Sequence, residues 1–177
     1  LPFPRLFHRD PAGDAVHALY LGVVERARAP VFYAELGVPD TVDGRFELVA
    51  LHAFLVFHRL KAERAATKEF AQALFDLMFA DFDRALREMG TGDLSVGKEV
   101  RRMAEAFYGR VGAYEKGLAG GASALEEALR RNLYGTGEAP PTALARLAGY
   151  LPRALAALRA APVRSLLAGH ADFGALP

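Results

Sequence analysis

Cysteine and tryptophan are both missing from these 177 residues, lysine occurs only four times, and no apolar run approaches membrane-spanning length. Without cysteine there is no disulfide, no thiol nucleophile and no cysteine-ligated zinc or iron-sulfur site, which fits a reducing, cytoplasmic setting. The best apolar run, Leu48 to Phe57, is broken by His52 and falls well short of the roughly 18 residues a spanning helix needs. A soluble or at most peripheral protein is therefore expected. The formal charge is +1, so the body is not strongly basic. Arg101-Arg102 and Arg130-Arg131 are too short to form a nucleic-acid footprint, and no direct nucleic-acid binding is expected. The opening Leu-Pro-Phe-Pro lacks the basic, apolar, small-residue order of a secretion signal. Nucleophile elbows, phosphate loops, HExxH and paired-acid arrangements are also missing, so catalysis has little support.

What is present is apolar surface at helical spacing. Hydrophobic residues make up 52% of the chain, enough for one domain with a real core. Residues 1–13, with Pro2, Pro4, Pro11 and Gly13, read as an arm, and Asp14 is expected to cap a helix to about Arg28. Pro30 ends it, and a short helical turn over 31–36 is stopped by Gly37 and Pro39. Thr67 is expected to cap a helix that ends at Gly90. Ser95 opens the most regular stripe, with Val96, Val100, Met103, Phe107, Val111, Tyr114 and Leu118 stepping by threes and fours. Ser123 with Glu126 has the spacing of a capping box, followed by the pairs Glu126–Arg130 and Glu127–Arg131. Thr142 opens a helix that Pro152 kinks or splits, Pro162 starts a short one, and 169–177 read as a tail. No segment alternates like a strand. The prediction is an all-α, single-domain bundle of about six to eight helices over 14–168.

The stretch DTVDGRFELVALHAFLVFHRL, Asp40 to Leu60, combines a charged turn with a helix apolar over most of its circumference. Asp43-Gly44 is a turn dipeptide whose carboxylate can cap that helix. The oxygens of Asp40 and Asp43 and the position of Gly44 do not match a calcium loop. His52 and His58 lie about 240° apart on a helix, so they cannot share an ion, and no metal or other cofactor is expected. His52, on the apolar stripe, reads as a hydrogen-bonded core histidine, and His58 as a solvated neighbour of Arg59. Asp81 sits on an otherwise apolar side and demands a cation, for which Arg45, Arg59 and Arg110 are candidates. Gly109 and Gly112, inside a long helix, imply close backbone approach, by a packed helix or by a bound segment.

Taken in order, LYLGVVERARAPVFYAELGVPDTVDGRFELVALHAFLVFHRL and FDLMFADFDRALREMGTGDLSVGKEVRRMAEAFYGRVGAYEKGL resemble the ubiquinol-cytochrome c chaperone family. The family pattern falls on Asp40, Asp43, Gly44, Arg45 and Phe46, then His52, Arg59 and Leu60. It continues on Asp81, Asp83, Arg87, Glu88 and Gly90, and ends on Tyr108, Gly109, Arg110 and Tyr114. Phe54 stands where eukaryotic members commonly carry a tryptophan, and their targeting extension is not seen, as in a bacterial relative. The resemblance implies a non-catalytic assembly factor for the cytochrome bc1 complex. Its mitochondrial members bind newly made cytochrome b with a smaller partner protein near the ribosome exit, a role compatible with peripheral contact at the inner membrane. A client groove is then expected between the helices at 46–60 and 96–118. Phe54, Phe57, Phe107, Tyr108 and Tyr114 would form its walls, with Arg45, Arg59, Asp81 and Arg110 setting helix spacing or gripping polar ends. The alternative is a helical carrier of a lipid, quinone or porphyrin.

Overall fold

The computed structural model describes residues 11–177, so most of the expected arm lies outside the described residues. Among those described, the chain is all-α with no strand. Helix α1 (Pro11–Ala27) already includes residues 11–13 and buries Val16, Leu19, Tyr20 and Val23. Asp14 therefore lies in its first turn rather than before it. A short α2 (Pro30–Ala34) follows, with proline at its start, where a missing N–H is harmless.

Helix α3 (Val42–Lys61) is the axis of the molecule. Fourteen of its twenty residues are buried, as an apolar circumference requires. It is covered by α1, by α4 (Arg64–Glu88), by α5 (Asp93–Gly120), by α7 (Ala143–Ala160) and by a π-helical turn (Arg130–Tyr134). The short α6 (Ala122–Leu129) leads into that turn, and α8 (Val163–Leu167) packs against α1. No helix among the described residues is long and apolar enough to cross a membrane.

Several helix starts differ from the sequence expectation. Thr41, not Asp43, caps α3: its hydroxyl oxygen accepts from the Gly44 N–H at 3.2 Å. Gly44 is needed because a Cβ there would lie 1.9 Å from the Pro39 carbonyl oxygen. Thr67 sits inside α4, where its buried hydroxyl donates to the Leu60 carbonyl at 2.8 Å and ties the α3–α4 corner. The Ser123 capping box does not form, since α6 already begins at Ala122 after Gly121. Arg130 pairs with Glu127, three residues before it, at 2.8 Å instead of with Glu126, and the π turn begins at this same residue. Helix α7 runs unbroken through Pro152, an exposed position.

Candidate functional site

The seam between α3 and α5 is filled, not open. Phe54 and Tyr114 meet at 5.4 Å between ring centres, and Phe57 and Phe107 at 5.8 Å. Phe54, Phe107 and Tyr114 are buried in the core, so they cannot line an exposed wall as expected. The reason is the second aromatic layer on α4, where Phe75 and Phe79 also pack on Phe107 and close the seam from the side. Phe57 is half-buried, and Tyr108, at 63% exposure, is the one ring of the five offered to solvent. It stacks on Phe75 at 5.7 Å. The glycines beside it are equally open: a Cβ at Gly109 or Gly112 would meet nothing within 4 Å. Helix packing thus does not account for them.

None of the three arginines proposed for Asp81 reaches it. Asp81 faces α1, where the Tyr20 hydroxyl donates to it at 2.8 Å, and Arg84 of its own helix supplies the cation. That contact, with burial as the larger cause, pushes the Tyr20 phenol pKa far up. Arg45 pairs with Asp40 at 2.7 Å on the surface, holding that carboxyl below its usual range. Arg59 bonds Glu63 at 2.8 Å and the Leu158 carbonyl at 3.1 Å. Asp83 pairs with Arg87 one helical turn on, and Arg87 also reaches Asp93 across the α4–α5 corner.

Arg110 instead takes both carboxylate oxygens of Glu47, its Nε lying 2.7 Å from Oε2. Glu47 is buried, and desolvation outweighs the guanidinium and raises the carboxyl pKa. Sequence reasoning missed this residue, although the rule that singled out Asp81 applies to it with more force. A carboxylate between Phe46 and Leu48, in a helix apolar nearly all round, needs a cation.

His52 is a core histidine, as its place on the stripe indicated. It is 0% exposed, with Nδ1 at 2.7 Å from the Leu48 carbonyl and Nε2 at 3.0 Å from the Tyr150 hydroxyl. Burial lowers its pKa to about 4, so the ring is neutral. Arg26 donates to the same hydroxyl at 3.0 Å and to the carbonyls of Gly174 and Ala175 at 2.8 and 2.9 Å. Phe173 lies edge-on to His52, so residues 173–175 form part of the packed body. His58 is half-buried beside Glu115 and Arg159, not simply solvated, and burial lowers its pKa. Among the described residues no cluster of His, Asp or Glu could hold a metal ion.

Two adjoining openings lie at the start of α3. A cavity of about 220 Å³ is walled by α1, α3, α4 and α5, with Val49, Phe82 and Met89 among its lining and Arg28 and Arg45 at its edge. A second, of about 400 Å³, lies against α5 and the π turn and is more polar, holding Asp43, Glu47, Arg110 and Asn132. The two adjoin across Val42, Phe46, Leu86 and Met103, which line both. Val42 and Met89 are each 53% exposed at this lip, where large apolar side chains gain nothing unless something covers them.

The family model for the ubiquinol-cytochrome c chaperones matches residues 34–173. The chain belongs to that family. A crystal structure of the Cbp3 homolog from Brucella abortus superposes with a TM-score of 0.83 at 40% identity, covering 93% of this chain and 91% of that one. The chain is also similar to ubiquinol-cytochrome-c reductase complex assembly factor 1 of Xenopus laevis, 29% identical over 65% of this chain and 58% of that protein. Protein CBP3, mitochondrial, of Saccharomyces cerevisiae is 28% identical over 60% of this chain and 33% of its own length. The chain thus spans between a third and about three-fifths of the length of these curated relatives.

Proposed function

We propose that this protein is an assembly chaperone for the cytochrome bc1 complex and that it shields an apolar segment of newly made cytochrome b. The names of its relatives support the assembly role. The observation that carries the shielding role is the trough at the start of α3, with Val42 and Met89 exposed at its lip over Phe46, Phe82 and Met103. Methionine is unbranched and adapts to partners of varied shape, which suits a client recognised by hydrophobicity rather than by one sequence. A smaller partner protein, the ribosome exit region and peripheral contact with the inner membrane belong to the same proposal. The carrier reading has less behind it. The apolar half of the trough alone, at about 220 Å³, is smaller than the roughly 300 to 1,000 Å³ typical of small-molecule sites, and a larger ligand would have to extend among Asp43, Glu47 and Arg110 of the polar half.

The test is photo-crosslinking from position 89 and, separately, from position 108 during translation of cytochrome b, combined with replacement of the gene by Val42→Glu/Met89→Glu. Crosslinks to cytochrome b and a loss of assembled bc1 complex in the folded double variant are expected. Normal bc1 levels in a deletion strain would refute the assembly role, and crosslinks arising only from the Tyr108 face would refute this trough.

A further inference from the structure

The two halves of the trough carry a surplus of opposite charge. In the polar half the carboxylates are Asp43, Glu47 and Glu99. Glu47 is held by Arg110 and Glu99 by Arg102 at 2.9 Å. Asp43, exposed in the first turn of α3, makes no ion pair among the described residues. That half therefore has one surplus negative charge. In the apolar half Arg45 is answered by Asp40, and Asp81 by Arg84. Arg28, exposed at the end of α1, makes no ion pair among the described residues and stands close enough to Tyr20 and Tyr33 to act on both phenols. That half has one surplus positive charge. Between them lies the shared floor of Val42, Phe46, Leu86 and Met103, which has no charged group.

Unlike charges at the two ends of an apolar floor favour an occupant whose own ends are unlike. Resting on the reading of the trough as the client site, we infer that it selects an apolar peptide segment with a basic residue at one end and an acidic residue at the other. The basic end lies by Asp43 and the acidic end by Arg28. A segment with like charges at both ends gains one attraction and suffers one repulsion. Exposed pairs of this kind discriminate by about threefold to thirtyfold in affinity when both ends count.

The inference is tested with fluorescent peptides that share one apolar core and end in base and acid, base and base, or acid and acid. Binding to the wild-type protein is compared with Asp43→Lys and Arg28→Glu, both exposed substitutions whose fold is checked by circular dichroism. The mixed peptide should bind best to wild type. Asp43→Lys should shift the preference to the acid-ended peptide and Arg28→Glu to the base-ended one, and the preferences should fade in about 1 M salt. Equal binding of all three peptides to all three proteins would overturn the charge selection while leaving the apolar site intact. Failure of every peptide to bind would overturn the client trough and the inference with it.

Discussion

Arg110 of α5 closes on Glu47 of α3 through both carboxylate oxygens, making the one two-pronged ion pair that joins these central helices. Removing either partner strands a charge that is largely shielded from water. Arg110→Met or Glu47→Leu alone should cost about 2 to 4 kcal/mol in urea unfolding. The double variant should recover most of that loss, because two apolar groups then meet where two charges had been desolvated. Additive single and double losses would show that the pair is not coupled.

The neutral His52 makes the fold acid-sensitive in a definite window. The unfolded ring takes its proton near 6.5, whereas the folded ring does so only near 4. Protons therefore bind the unfolded chain first, and stability is full above about 6.5 and falls as pH drops toward 4. The loss is on the order of 3 kcal/mol. His58 is shifted the same way and leaves a residual slope. His52→Gln should flatten the pH dependence of the urea midpoint between 4 and 6.5, whatever it does to stability at neutral pH.

Glycine substitutions should separate two kinds of position. Gly44→Ala collides with the Pro39 carbonyl at the α3 cap and should cost about 2 kcal/mol or more in a thermal melt. Gly109→Ala and Gly112→Ala meet nothing and should each raise stability by about 0.5 to 1 kcal/mol. If either of the latter nevertheless lowers the yield of assembled bc1 complex, the bare face of α5 has a partner in the cell.

Much of the architecture was legible because the helices are long and their apolar spacing is regular. The stripe from Val96 to Leu118 and the apolar coat from Leu48 to Leu60 each set a face that only burial in a bundle satisfies. Helix starts were less legible. A cap is decided by which oxygen the turning chain brings near a free N–H, and Thr41 and Asp43 both qualify on sequence alone. The site was least legible, because a single helix does not say which neighbour covers which ring. Phe54 and Tyr114 have the composition of a groove wall, but α3 and α5 meet along them. Met89, Val42 and Arg28 carry no signal in the sequence, because their meeting at one cavity depends on α1, α3 and α4 converging, which no local pattern encodes. Asp81 went to Tyr20 and Arg84 for the same reason.

The Arg26 contacts with residues 173–175 also have a kinetic meaning. They join positions 148 residues apart, and closing so large a loop costs on the order of 4 kcal/mol in chain entropy unless intervening helices have already shortened it. The clasp is therefore expected to form after α1, α3 and α7 have met, on the native side of the folding barrier. Arg26→Ala should leave the refolding rate nearly unchanged and speed unfolding, seen as a chevron displaced only along its unfolding limb. That outcome would make the Arg26 guanidinium a contributor to the lifetime of the folded protein rather than to its rate of formation.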